Sequence, residues 1–378
     1  MFTTLIVCYD NWNTLSEIPY IIKKGGSAVH ILCSQNSWVK RNSFYDKWIT
    51  AKDSEEEFIQ QLLYLASHKN YDWIILGDEK IIRLMNERIT DEATFQKILP
   101  LTKIGNRELL SSKNGFFNVC NKYNIITPLS ISYKNSYNDM ADFSALQFPL
   151  LVKIDYSWGG IGMKILENNQ DLITALANVP KGESALVQEY IAGVEVPVEA
   201  LFWKGKLMTF TCSEILEYDK DQFSYSTRRK YFPPDEILKA AVEDFGTSVG
   251  LHGFVNMAFI KSNTDDHYYI IEADARPNSW SAYARYAGSN FSEMIKTITS
   301  PNFTPKKVIP KTVEIGLFHK DLRRSFYKHD VNGVLRWIFN YNYWKFIPFY
   351  DIKLLGYTIS ELWKEFFIEK LQRTINLK

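Results

Sequence analysis

The stretch from Tyr268 to Trp280, YYIIEADARPNSW, limits this chain more than any other. Tyr268 to Ile271 is β-prone, and in extended backbone alternate side chains point the same way. Glu272, Asp274 and Arg276 then share one face, while Ala273 and Ala275 take the other. Pro277 cannot donate the next ladder hydrogen bond and ends the strand. Two carboxylates and a guanidinium at spacing two make a compact charged edge. Such an edge suits a hard cation carrying phosphate, because carboxylate oxygens hold the ion and arginine clamps anionic oxygens. The same spacing also describes a wet surface strand, so the segments before it must decide.

The 378-residue chain is long enough for two or three domains. Its hydrophobic fraction of 46% and charged fraction of 23% are those of an ordinary globular protein. A net charge of +1 argues against a general nucleic-acid binder. The charge is uneven: from Phe303 to Lys378 there are 14 Lys/Arg against 7 Asp/Glu. Cys8, Cys33, Cys120 and Cys212 are scattered without a CxxC, as expected of reduced, buried thiols. No apolar run reaches transmembrane length and the start lacks a signal-peptide pattern, so a soluble cytoplasmic protein is expected.

Thr4–Cys8 and Ala28–Cys33 read as strands flanking a helix over Thr14–Lys24, a βαβ opening. Helical periodicity over Glu55–His68 followed by the apolar run Tyr71–Leu76 repeats the pattern. Residues 1–100 are therefore expected to form a small parallel α/β domain. Its first βα turn, CYDNWNT, carries no GxGxxG and is no dinucleotide fingerprint. Further on, Asn106–Tyr123 reads as helix. Phe148–Ile154 is a strand, Ser157–Gly162 (SWGGIG) a glycine-rich turn and Met163–Leu166 the return strand. Strand–loop–strand excludes a Walker-A loop, which runs strand–loop–helix and ends in GK[ST]. Glycines there let backbone N–H groups approach phosphates closely. Lys153 interrupts an apolar strand directly before this turn, an unusual place for an ammonium. Ala185–Ile191 is the next strand, Glu195–Trp203 and Lys206–Ile215 form a hairpin, and Asp235–Val249 is a helix. Tyr218–Pro234 reads as a polar, aromatic loop carrying Arg228, Arg229 and Lys230. Gly253–Lys261 is the strand that precedes the opening motif. His252 reads as structural.

Taken in order, these pieces resemble the ATP-grasp superfamily, in the style of its carbamoyl-phosphate-synthetase-like, carboxylate–amine ligase branch. The resemblance covers roughly Leu101 to Gly288. It rests on Lys113 ahead of NIITP, on PLLVKIDYSWGGIGMKI, on ALVQEYIAGVEVPVEAL, and on GFVNMAFI paired with YYIIEADARPNSW. The fold class it implies is α/β and α+β: an ATP-grasp fold behind an N-terminal Rossmann-like (pre-ATP-grasp) domain, with a C-terminal helical extension. Expected bounds are 1–100 for the first domain, 101–184 for the smaller subdomain with the glycine-rich loop, 185–302 for the larger subdomain, and 303–378 for a basic, aromatic extension.

The resemblance also assigns roles. Lys113 and Lys153 match the lysines that reach nucleotide phosphates, and Ser157, Gly159, Gly160 and Gly162 match the phosphate-covering loop. Gln188, Glu189, Tyr190 and Ile191 match the adenine-reading segment, and Glu195 matches the acid that accepts from the ribose hydroxyls. Glu272 matches the metal-bridging glutamate, Asp274 stands where the family usually has asparagine, and Arg276 matches the arginine on the transferring phosphoryl group. Arg228 or Arg229 is expected to contact a substrate carboxylate or the γ-phosphate. Ala258 departs from the pattern, standing where the family places a metal-ligating Glu, Gln or Asp; Asn256 lies two residues away on the same face. The implied chemistry is ATP-dependent activation of a small-molecule carboxylate and its joining to an amine, with Mg2+ as cofactor and Mn2+ as the alternative ion. A non-catalytic ATP-binding protein of the same fold is the alternative that Ala258 keeps open. For the extension, helical packing onto the body stands beside peripheral contact with an anionic membrane, and a homodimer is the oligomer allowed for.

Overall fold

The computed structural model describes residues 1–110, 112–136, 141–156, 163–306 and 309–376, with side chains followed to residue 366 in the last helix. The SWGGIG turn, with Ser157, Gly159, Gly160 and Gly162, lies outside the described residues.

The apolar runs near the start pair as a four-stranded parallel sheet, because strands covered on both faces can be apolar throughout. Its strands are β1 (Thr3–Val7), β2 (Ala28–Cys33), β3 (Lys47–Thr50) and β4 (Trp73–Leu76), in the order β3-β2-β1-β4. β3 is too short and too exposed to carry a sequence signal. Asp78, fully buried after β4, caps the helix Glu79–Arg88 by accepting from the Ile81 amide at 2.9 Å. It also accepts from the Tyr9 amide at 2.7 Å, so one carboxylate locks the turn after β1 to the start of that helix. Both segments border the site described below.

A second sheet, antiparallel, has the order β5-β8-β6-β7, with β5 at Ser130–Lys134, β6 at Leu150–Ile154, β7 at Ile165–Leu166 and β8 at Ser184–Glu189. Its own small core joins Leu150, Val152, Leu166, Leu172 and Val187. Since β8 pairs with β5 and β6, this unit extends through Glu189 rather than stopping at residue 184.

The third sheet has six antiparallel strands: β9 (Gly193–Trp203), β10 (Lys206–Tyr218), β11 (Ser226–Phe232), β12 (Gly253–Ser262), β13 (Tyr268–Asp274) and β14 (Val313–Gly316), in the order β13-β12-β9-β10-β11-β14. The helix Glu236–Val249 covers one face, laying Leu238, Val242, Phe245 and Val249 on Val196, Val198, Val255, Met257 and Phe259. It fits closely because Gly246 meets the ring of Phe202, where a Cβ would stand 2.0 Å from a ring carbon. The opposite face is apolar at one end, around Leu201, Tyr231, Phe254 and Trp280, and polar at the other.

Two expectations change here. Residues 218–234 are not all loop, since β11 runs through them and fixes the direction of each arginine. The extension from Phe303 packs onto the body but is not helical throughout, since its β14 pairs with β11 and completes the large sheet. Its next helix, Phe318–Tyr327, is anchored by Asp321, which is fully buried. Asp321 accepts from Trp337 Nε1 at 2.9 Å, from Thr227 Oγ1 on β11 at 3.2 Å, and from Arg324 at 3.2 Å. Removing a buried carboxylate strands the donors aimed at it. Asp321→Ala is expected to cost about 3–5 kcal/mol and to release the extension, read in denaturant as a separate, earlier change of tryptophan fluorescence. A single unshifted transition would refute the anchor.

Candidate active site

The polar end of the large sheet faces the small sheet. Register places Asn256 opposite Asp274 and Ala258 opposite Glu272 across β12 and β13. Asn256 is also opposite Glu199, and Ile260 opposite Glu195, across β12 and β9. Glu272 and Asp274 therefore share a face with Asn256, Glu199 and Glu195, as period-two geometry requires.

β13 ends at Asp274, two residues earlier than Pro277 alone would dictate, because the chain turns and the Arg276 amide donates to the Asp274 carbonyl at 2.8 Å. The turn brings the Arg276 guanidinium back onto the Asp274 carboxylate at 2.9 Å and onto Glu79 at 2.5 Å. Its flat side rests 5.2 Å from the Trp12 ring. Burial pushes the Asp274 carboxyl up; Arg276 opposes that, and the negative charges of Glu272 and Glu79 reinforce it. Sequence reading finds neither Glu79 nor Trp12, which follow strands of the N-terminal sheet far earlier in the chain, Glu79 at a separation of 197 residues.

From the small sheet comes Lys153, 7% exposed on β6. Burial lowers its ammonium to about 8, with Glu272 and Glu195 drawing it up and Lys113 pushing it further down. These influences place Lys153, Lys113, Glu272 and Glu195 around one cleft between the two sheets. Lys113 gets there through Asp155, buried just after β6. Asp155 accepts from the Lys113 amide at 2.6 Å, from Ser112 Oγ at 3.0 Å and from Asn114 Nδ2 at 3.2 Å. Ser112 in turn caps the helix Lys113–Lys122, accepting from the Gly115 amide at 2.9 Å. One carboxylate thus ties the two lysine-bearing elements together.

Gln188 is buried and donates to Ser130 Oγ at 2.9 Å, a scaffold contact. The Glu189 side chain accepts from the Gln147 amide at 2.8 Å. The segment from Tyr190 to Ala192 crosses from β8 to β9 and so from one sheet to the other. The amides of Glu189 and Tyr190 are spent on the carbonyls of Leu129 and Pro149, each at 2.9 Å. Glu195 accepts from the Tyr218 hydroxyl at 3.4 Å, and burial raises its carboxyl despite nearby Arg229. His252 accepts from the Lys204 amide at 3.1 Å under Trp203, a structural role.

The two candidate arginines of β11 separate, since neighbours on a strand point to opposite faces. Arg228 pairs with Glu217 at 2.7 Å and Glu314 at 3.4 Å, and lines a groove of about 650 Å³ with Arg336 and Tyr343. That is the far side of the sheet from Glu272. Arg229 faces the site, pairing with buried Glu199 at 2.7 Å and stacking 4.5 Å from Trp280. The arginine expectation narrows to Arg229.

Among the described residues no group of three His, Cys, Asp or Glu side chains gathers around a metal position. The oxygen donors at hand are Glu272, Asp274 and Asn256, whose Oδ1 is buried and has no hydrogen-bond partner. Two carboxylates with an idle amide oxygen suit Mg2+, which keeps several positions for water and phosphate.

Comparison with known proteins agrees with this geometry. Residues 111–279 match the family model of the ATP-grasp domain. The carbamoyl phosphate synthase large chain of Clostridium botulinum (strain Loch Maree / Type A3) is 24% identical over 191 residues, 48% of this chain and 18% of that protein. The match therefore spans less than a fifth of that relative's length. Among solved structures, the L-amino acid ligase from Bacillus licheniformis aligns at TM-score 0.60 and 14% identity, over 84% of this chain and 80% of that one. N5-carboxyaminoimidazole synthetase from Staphylococcus aureus, complexed with ADP, aligns at TM-score 0.62 and 17% identity, over 87% and 86%. The small antiparallel sheet, the large sheet and the cleft between them have the ATP-grasp fold, and residues 111–279 are its ATP-grasp domain.

Proposed function

We propose that this protein is an ATP-dependent carboxylate–amine ligase, which activates an acid by phosphoryl transfer from ATP and releases ADP and phosphate. The observation that carries the reading is Lys153: a buried ammonium, destabilised where it sits, facing Glu272 across the cleft of this fold. Such a charge is explained by an anionic ligand that enters the cleft and restores what burial removed.

In this reading Lys153 from the small sheet and Lys113 from the helix tied to it meet the ATP phosphates, as compact point charges on flexible stems. Ile191, whose neighbours' amides are spent, offers its backbone to adenine, and Glu195 takes the ribose hydroxyls. Ser157, Gly159, Gly160 and Gly162 keep the phosphate-covering role that the resemblance gives them. Glu272, Asp274 and Asn256 would hold Mg2+, with Mn2+ as the substitute. The bound ion supplies positive charge to the phosphate oxygens. Asn256 takes the place that Ala258 cannot fill. Arg276 is held by Glu79 and Asp274 at a fixed angle, and its preset guanidinium stabilises charge that builds on the transferring group without having to move. Residues Lys153, Lys113 and Arg276 thus converge on phosphoryl transfer, where positioning and electrostatics supply most of the catalysis. The acid attacks the γ-phosphorus, ADP leaves, and an amine then displaces phosphate from the acyl phosphate.

A second surface supports the membrane expectation. The extension exposes Phe339 and Tyr341, both 75% exposed, and also Trp344, Phe349 and Trp363. Aromatics beside an excess of basic residues suit the headgroup layer of an anionic bilayer. No helix among the described residues is long and apolar enough to cross one.

Phosphate release from ATP–Mg2+ is the first test, run against a panel of carboxylic acids paired with amines. Release is expected only with both partners, and Glu272→Ala should lower it at least 100-fold, about 2.7 kcal/mol or more in the barrier. Calorimetry that detects no ATP binding would end the proposal. Lys153 gives a second test. Its folded-state value of about 8 lies below the ordinary 10.5, so the folded protein binds fewer protons than the unfolded chain between these pH values. The cost is complete below pH 8 and fades as pH rises towards 10.5. Lys153→Met is therefore expected to stabilise the ligand-free protein by roughly 2–3 kcal/mol at pH 7, with little gain near pH 10.5, while abolishing nucleotide binding. An unchanged or lowered Tm at pH 7 would contradict the account. For the membrane surface, sedimentation with phosphatidylserine vesicles at low salt should carry the protein down, and Trp344→Ala with Phe349→Ala should weaken it several-fold.

A further inference from the structure

The helix Phe318–Tyr327 does more than dock the extension. Lys320 and Arg323 stand one turn apart on it and share a face. Lys320 Nζ donates to Ser279 Oγ at 3.2 Å, three residues beyond Arg276, and lies 4.9 Å from the Tyr225 ring. Arg323 holds the Tyr225 hydroxyl and reaches Asp219 at 3.2 Å. Four cations from three separate parts of the chain therefore meet here: Arg229, Arg276, Lys320 and Arg323.

Their pairing is uneven. Arg229 has Glu199, Arg276 has Asp274 and Glu79, and Arg323 has Asp219 and, at 3.9 Å, Glu365. Among the described residues, no carboxylate lies within ion-pair distance of Lys320, whose polar partner is the hydroxyl of Ser279. Burial lowers its ammonium to about 8, with Arg323 and Arg229 pressing the same way. Two guanidinium nitrogens nearby, Arg276 Nε and Arg323 Nε, are buried and donate to nothing. The Arg276 side chain is only 11% exposed. A cavity of about 50 Å³ opens beside Lys320, lined also by Thr14, Glu17, Ser279, Tyr283 and His319, with the Glu17 carboxylate taken up by the Tyr350 hydroxyl. That is room for a group the size of one or two waters.

We propose that Lys320 and Arg323, with Arg276, form the seat of a substrate carboxylate, so that the C-terminal extension builds part of the substrate pocket. Lys320 is the cation without a carboxylate of its own, and Asp219 and Glu365, both on Arg323, would repel the second charge of a phosphate dianion, which favours a carboxylate. Two idle N–H donors and an ammonium supply the hydrogen bonds that two carboxylate oxygens accept. The seat adjoins Arg276 and hence Asp274, so an acid held there lies next to the phosphoryl-transfer centre. Naming the occupant as the acid substrate rests on the ligase reading above.

Competitive labelling of the wild-type protein tests this without a variant. Lysines are acetylated with a trace of N-hydroxysuccinimide ester, and Lys320 and exposed Lys230 are quantified by peptide mass mapping. Samples contain succinate, inorganic phosphate or chloride at equal ionic strength, each with and without ADP–Mg2+. Succinate is expected to slow modification of Lys320 at least fivefold and leave Lys230 unchanged, with phosphate giving less than twofold protection once ADP–Mg2+ is present. Protection by neither anion, or by phosphate as well as by succinate, overturns the proposal. Lys320→Met should abolish the binding of succinate seen by calorimetry, and Lys320→Arg should restore it; retained binding in Lys320→Met also overturns it. Nucleotide affinity, measured on the same samples, separates the two readings. ATP binding without succinate protection sinks the seat and spares the ligase. Succinate protection without ATP binding sinks the ligase and spares the seat.

Discussion

The contact of Arg276 with Asp274 and Glu79 is the constraint on which the site depends. A buried guanidinium is tolerable only when its charge is matched, and here one match comes from β13 and the other from the N-terminal sheet. The pairing sets the angle of Arg276, keeps Asp274 within reach of a cation, and draws the turn after β1 against the large sheet through Trp12. Asp78 secures the same junction from behind by fastening that turn to the helix that carries Glu79. The N-terminal sheet is thus a wall of the site.

Across the cleft the balance is left incomplete. The positive charge of Lys153 and the negative charges of Glu272 and Glu195 face one another, and among the described residues neither Lys153 nor Lys320 closes into an ion pair. A protein selected for stability alone would replace such groups with packed hydrocarbon. Their retention points to ligands that carry the missing charges. The rest of the fold offsets this strain with well-satisfied carboxylates, of which Asp155 and Asp321 are the clearest examples.

The sequence displays the architecture of the cleft well, because it depends on short-range pattern. Alternation puts Glu272 and Asp274 on one face, a lysine within an apolar strand marks Lys153, and the order of segments identifies the fold. What it hides is what depends on long-range packing. Arg228 and Arg229 are indistinguishable until β11 pairs with β10 and assigns each a face. Glu79, Trp12 and Lys320 lie in segments whose local pattern describes ordinary helix or turn, and only tertiary docking brings them to the site. The division at residue 184 fails for the same reason: β8 looks the same from either side until its ladder partners are known.

The strand β14 carries a consequence for how the molecule stays apart from its copies. It offers only four residues, pairing Tyr231 to Arg228 of the seven-residue β11. Unpaired, β11 would present a row of N–H and C=O groups to solvent, an invitation to a strand from another chain. A short strand, backed by the helices that follow it, replaces that long edge with one too brief to recruit a neighbour. Trimming the chain to the ATP-grasp core alone would therefore leave an adhesive sheet, and the aggregation that followed would reflect an uncovered edge rather than an unfolded domain.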